Sequence, residues 1–205
     1  MNKINGLQPL FVALNNMKVQ YCVVEYNEGI RQLEMFVKQD SLENLAKAME
    51  ESKFAKVGSS IDEYSFIYRL TPDAFWENNE AVTVHTASQM SCVSLSNLSR
   101  FKLPLDNLIQ ESIWDNKKWD NIRNIWRISE EDYIIFLLSR CVFDKKCFDE
   151  RSISIIGNIS IDWHEAFFKE KLEGVFFRFT DSLIRHIEEK RFNDIIHDHR
   201  TFVDY

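Results

Sequence analysis

The chain is poor in the residues that most often break regular structure, with five glycines and three prolines among 205 positions. Collagen-like and low-complexity classes are excluded. With 45% hydrophobic and 28% charged residues, nearly all of it is expected to fold, as one domain or two small ones. No run of about 18 apolar residues occurs, so no membrane span is expected. Gln8, Asn15 and Asn16 interrupt the first apolar stretch, so no signal-peptide core is expected either. Basic charge is also scarce: 25 Lys plus Arg stand against 32 Asp plus Glu, a net charge of −7. Dedicated nucleic-acid binders carry a basic field, so bulk nucleic acid is disfavoured as a partner and only a local basic pocket stays open. The four cysteines, Cys22, Cys92, Cys141 and Cys147, offer one C-x5-C pair, which suits neither a zinc knuckle nor a secreted scaffold. Reduced thiols and a cytoplasmic location follow as expectations.

Catalytic signatures are equally sparse. Gly58-Ser59-Ser60 lacks the Lys-Ser/Thr of a phosphate loop and reads as a turn. There is no G-x-S-x-G elbow, and five histidines without a nucleophile context give no hydrolase triad. His197-Asp198-His199 would place two imidazoles together only if that segment were extended. With no second ligand cluster in the sequence, it reads as a solvated, frayed tail.

What the sequence does contain is a change of pattern along its length. Ile4, Leu7, Leu10, Phe11 and Leu14 have helical spacing, closed by Asn15-Asn16. Val19 to Tyr26 and Leu33 to Val37 are strand-like and are separated by Asn27-Glu28-Gly29. Asp40-Ser41 then caps a predicted helix reaching Ser52. Phe66-Ile67-Tyr68 and Ala81 to His85 are further strand candidates, with a turn at Thr71-Pro72-Asp73. After Pro104 the spacing predicts helices over Leu105 to Trp114, Asp120 to Ile128 and Ser129 to Phe143, then a long helical stretch from Ser160 to Ile196 interrupted at Gly174. Ser129 is the N-cap candidate of the helix carrying Glu131 and Asp132. The fold class expected is α+β, with an α+β core over 1–100 and a helical region over 101–205 packed on it, the boundary falling in Ser91 to Lys102.

Helix, strand, short polar turn, strand and helix, with Gln32-Leu33-Glu34-Met35-Phe36-Val37 as the second strand, resembles the core of the nucleotidyltransferase fold, in particular its bacterial members linked to surface polysaccharides. The resemblance implies an Asp-x-Asp on that strand, which the chain replaces with Gln32 and Glu34. It implies a third carboxylate on a later strand, where Val82-Thr83-Val84-His85 offers Thr83 or His85, and a glycine-rich turn for which only Gly29 stands. Ligands at i and i+2 of a strand share one face, so alternate carboxylates can hold Mg2+ ions bridging a triphosphate. One Glu, one amide and an imidazole are a poor set for that hard cation. The resemblance therefore implies a catalytically degenerate relative. It would bind a nucleotide or phosphosugar through Gly29, Gln32, Glu34 and His85, with weak or no catalysis and with Glu34 as the one candidate metal ligand, for Mg2+ if the protein is active.

The bland reading of the same residues stays open: Gln32 and Glu34 as solvent-facing positions of a half-buried strand, and His85 as a hydrogen-bonded rim residue. It belongs to an alternative function, a non-catalytic interaction or regulatory protein with no small-molecule ligand. Phe167-Phe168 and Phe176-Phe177 bear on that alternative. Helix neighbours diverge by about 100°, so one member of each pair must find a second surface, either another helix layer, a protein partner or a second copy of the chain.

Overall fold

The computed structural model describes residues 7–27, 31–59, 65–70, 82–93 and 102–203. They divide into two units, and the polypeptide crosses between them three times. The first unit takes the described residues up to Gln89 and returns for Trp114–Ile128. The second takes Met90–Ile113 and the described residues from Ser129 onward. The fold is α+β, as its sequence pattern leads one to expect.

In the first unit, helix α1 (Gln8–Asn16) is followed by strands β1 (Tyr21–Asn27) and β2 (Gln32–Val37), helix α2 (Leu42–Glu51) and strands β3 (Phe54–Ser59), β4 (Ser65–Leu70) and β5 (Thr83–Ala87). The return segment adds β8 (Lys118–Asp120) and β9 (Ile125–Arg127), and the seven strands form one sheet in the order β3-β4-β5-β2-β1-β9-β8. β1 and β2 are antiparallel, whereas β2 and β5 run parallel. Leu10, Phe11 and Leu14 of α1 and Leu45, Ala48 and Met49 of α2 share a core with Tyr21, Val23, Leu33, Met35, Val37 and Val84 of the sheet. Burial of each such side chain contributes about 1.5–3 kcal/mol. One sheet face is thus committed to the helices. The expected cap of α2 takes another form: Ser41 makes no side-chain cap, and its Oγ instead accepts from the Gln20 amide at 3.2 Å.

Residues 120–128, predicted helical, form the β8–β9 hairpin instead. Asp120 Oδ1 accepts from the backbone amides of Ile122 and Arg123, both at 3.0 Å, and Asn124 turns through the left-handed region at φ 55°. Such side-chain-to-backbone bonds favour turns over helix, and the Trp119 and Trp126 rings then meet edge to face across the hairpin at 5.1 Å. The Ile128 amide donates to the Val23 carbonyl and ties β9 to β1.

Among the described residues the second unit pairs β6 (Ser91–Val93) with β7 (Lys102–Pro104) and is otherwise built on helices: α3 (Asn107–Asp115, whose last two residues belong to the first unit), α4 (Glu130–Ser139), α5 (Glu150–Asn158), α6 (Ala166–Phe176), α7 (Thr180–Glu188) and α8 (Phe192–Val203). Ser129 caps α4 by accepting from the Asp132 amide at 3.1 Å. A wider turn, Arg140–Lys145, continues α4 until Lys146 turns left-handed. The long predicted stretch breaks at Phe177, with φ 49°, and again at Lys190, with φ 57°, and not at Gly174. Gly174 stays inside α6, where a Cβ would meet the Asp106 Cβ at 3.4 Å, an ordinary contact. The tail is helical as far as Val203, which replaces the frayed tail expected around His197 to His199. Among the described residues no helix is long and apolar enough to cross a membrane.

Candidate functional site

The strand pairings bring together on one sheet face the residues that the sequence singles out. Along β2, Leu33 and Met35 enter the core while Gln32 and Glu34 alternate with them, half-exposed. β5 repeats the pattern, with Val84 and Thr86 buried and Thr83 and His85 half-exposed. In the parallel register Gln32 pairs with Thr83 and Glu34 with His85, so all four share the face turned away from α1 and α2. Gln32 Nε2 donates to Glu34 Oε1 at 2.8 Å, fixing the carboxylate along the strand. The Thr83 amide donates to the Arg31 carbonyl at 3.0 Å and secures the register at that end. Gly29, the fourth candidate, lies outside the described residues, as does the turn at Thr71 to Asp73.

The structure adds a residue that the sequence does not announce. Tyr21, Cys22 and Val23 pair with Val37, Phe36 and Met35, but a β-bulge follows, so that Glu25, not Val24, pairs with Glu34. Without the extra residue Glu25 would stand opposite Leu33, on the helix-covered face. With it, Glu25 and Asn27 join Glu34 and Gln32, which is how bulges re-aim side chains. The site thus spans three strands: Glu25 and Asn27, then Gln32 and Glu34, then Thr83 and His85.

This donor set does not fit the paired Mg2+ ions of the nucleotidyltransferase pattern. Gln32 already occupies one oxygen of Glu34, and among the described residues no three His, Cys, Asp or Glu side chains converge as metal ligands. A neutral amide oxygen and an imidazole nitrogen bring no negative charge and only one hard oxygen to so hard a cation. What the face offers is hydrogen bonding: acceptors from Glu25 and Glu34, amide groups from Asn27 and Gln32, a hydroxyl from Thr83 and an imidazole from His85.

A second polar constellation, entirely in the second unit, went unseen in the sequence. Lys171 of α6 is fully buried, and its Nζ lies 3.1 Å from Asp132 Oδ1, 3.0 Å from Glu131 Oε2 and 3.2 Å from Ser112 Oγ. Asp132 is buried as well and accepts from Ser112 Oγ at 2.8 Å and Ser129 Oγ at 2.7 Å. The ammonium also meets the Phe167 ring at 5.1 Å. Each charge is paired and each remaining position bonded, as burial of an ion pair requires.

Among the described residues no cluster of metal ligands includes the histidines near the C-terminus. They lie on α8, where positions i and i+2 diverge; His199 is buried against the Phe143 and Phe179 rings at 5.3 and 5.2 Å, and burial lowers its pKa. Asp198 Oδ2 meets His186 Nε2 of α7 at 2.8 Å. Gly58 and Ser59 belong to β3. Of the four cysteines, Cys22 and Cys141 are buried, and burial pushes the Cys92 thiol up to about 11.

No protein-family profile and no curated protein matches the chain. One solved structure, the solution structure of the antibiotic-resistance factor ANT(2'')-Ia, is similar over 97% of this chain and 97% of its own, with a TM-score of 0.46 and 7% identity. At that distance the reading of the site rests on the strand pairings themselves.

Proposed function

We propose that the protein is a nucleotidyltransferase-like, ligand-binding protein with weak or no catalysis, taking a nucleotide or phosphosugar on the β1-β2-β5 face. The observation that supports the reading is the parallel pairing of β2 with β5, which puts Glu34 beside His85, the two residues that the resemblance offers in place of acidic ligands. Sugar hydroxyls suit this face: the carboxylates of Glu25 and Glu34 accept from them, and Gln32, already bonded to Glu34, holds one acceptor in place. The missing carboxylates explain why turnover is not part of the proposal.

A thermal-shift series with nucleoside triphosphates and sugar phosphates, with and without Mg2+ or Mn2+, tests it. A ligand at 100 times its Kd stabilises by about 2.7 kcal/mol. The expected shift is largely independent of the cation and is lost in His85→Ala. No shift from any of these ligands leaves the alternative, an interaction protein. A specific observation favours that second reading: Phe168 and Phe176 are buried, but their neighbours Phe167 and Phe177 are 42% and 70% exposed.

A further inference from the structure

The first unit carries a second polar cluster, at the hairpin end of its sheet, which takes no part in the Glu34 face. Lys38 follows directly on β2, and Lys117 lies between α3 and β8. Both ammoniums meet the same indole: Lys38 Nζ is 5.5 Å and Lys117 Nζ 5.4 Å from the Trp114 ring centroid. Lys117 also stands 4.9 Å over Trp126 and donates to Gln20 Oε1 at 3.2 Å. Trp119 packs edge-on against Trp126 and keeps part of its ring in solvent.

No carboxylate among the described residues pairs with either lysine. The nearest acid on the hairpin, Asp120, is already held by Arg123 at 2.8 Å and Arg127 at 3.8 Å. Two like charges therefore converge on one aromatic ring in a protein whose net charge is −7. The cation–π contacts offset this only in part. Burial lowers the pKa of Lys117, and the neighbouring Lys38 pushes in the same direction against an opposing effect of the Cys22 thiol. An anion placed between the two ammoniums would relieve both the desolvation and the repulsion, whereas an apolar or cationic ligand would relieve neither.

We infer that Lys38 and Lys117, on the indoles of Trp114 and Trp126, form a binding site for a phosphate-bearing ligand, with Trp119 as the surface for whatever planar group adjoins the phosphate. The ammoniums bind the phosphate oxygens by charge-assisted hydrogen bonds, and the indoles hold the lysine stems in place. The site is separate from the Glu34 face and does not depend on that face binding anything.

The test follows the indole N–H resonances of the full chain by NMR during titration with inorganic pyrophosphate, a sugar phosphate and a nucleoside diphosphate. Concentrations reach about 10 mM, enough to load a 1 mM site. Saturable shifts of the Trp114 and Trp126 signals are expected, with affinity at least tenfold weaker in Lys38→Met, a change at a half-exposed position that leaves Lys117 and the indoles in place. Equal affinity for all three anions identifies phosphate alone as the ligand, while tighter binding of the nucleoside diphosphate that weakens in Trp119→Ala adds the planar group. Retention of the shifts in Glu34→Gln separates this site from the proposed nucleotide face. Indole signals that do not move, or that move equally in Lys38→Met, overturn the inference.

Discussion

Two polar clusters in this chain are built from similar side chains and differ in how their bonding capacity is spent. Around Lys171 the ammonium and the Asp132 carboxylate are fully buried, paired with each other and bonded to Ser112 and Ser129, an arrangement that serves the fold. On the β1-β2-β5 face Gln32, Glu34, Thr83 and His85 are half-exposed, with Gln32 bonded to Glu34 along the strand. Ionisable residues therefore do not by themselves mark a site. The first cluster should answer to mutation through stability, the second through binding.

The largest effect is expected where that contrast is sharpest. Asp132→Ala leaves the buried Lys171 ammonium without its one fully buried carboxylate partner and should lower unfolding free energy by about 3–5 kcal/mol, measured by urea denaturation. Combining Asp132→Ala with Lys171→Met should recover much of the loss, because the cost lies in an unpaired buried charge. A double variant as unstable as the single one would show that packing, not charge, is responsible.

An intermediate effect belongs to the cap of α5. Asp149 Oδ1 accepts from the Ser152 amide at 2.7 Å, and its Oδ2 meets Lys145 at 3.0 Å. Bonding to Ser152, then to Lys145, holds its pKa down at about 2. The sign follows: the folded value is below the unfolded one, so the contribution is present above about pH 4 and is lost as pH falls toward 2. Asp149→Ala should cost about 1 kcal/mol at neutral pH, and its stability should converge with wild type at pH 2.

Much of the first unit was legible because α1, β1, β2 and α2 bury one face each and their apolar residues recur at periods of 3.6 and 2. The hairpin was not. Ile122, Ile125 and Trp126 are spaced as a helix would space them, and only the Asp120 turn bonds and the pairing of β9 with β1 decide otherwise. α5 was passed over although Asp149 and Ser152 are its cap. For the site, alternation sufficed to put Gln32 with Glu34 and Thr83 with His85, but their pairing is a long-range matter of strand order. Glu25 needs the bulge, which a Val-Val-Glu run does not signal. Lys171 sits mid-helix like any solvated lysine until Phe167, Phe168 and Asp132 surround it.

A smaller, pH-confined effect is expected at His199. Its pKa is lowered by burial, so the unfolded chain binds the proton more readily. The stability it permits is present above its unfolded pKa, near 6.5, and declines as pH falls below that value. Replacing it with Phe, which keeps the ring between Phe143 and Phe179, should flatten the decline of melting temperature between pH 6.5 and 5. An unchanged slope would assign the decline to other groups.

The smallest stability effect is expected at Glu34, and that is what makes the residue informative. It pairs directly with Glu25 across β1 and β2, and like charges in that position cost a few tenths of a kcal/mol rather than contribute. Glu34→Gln removes one of the two charges and keeps the side chain's size, so unfolding free energy should change by no more than about 0.5 kcal/mol. Binding should behave differently, because the amide accepts at one oxygen only and presents a donor where a ligand hydroxyl donates. Calorimetric titration with whichever nucleotide or sugar phosphate raises the wild-type melting temperature should therefore show weaker binding by tenfold or more in a variant of unchanged stability. Binding that survives Glu34→Gln and His85→Ala together would remove the ligand from this face. A large loss of stability in Glu34→Gln would instead place Glu34 with Asp132, as a charge held for the fold.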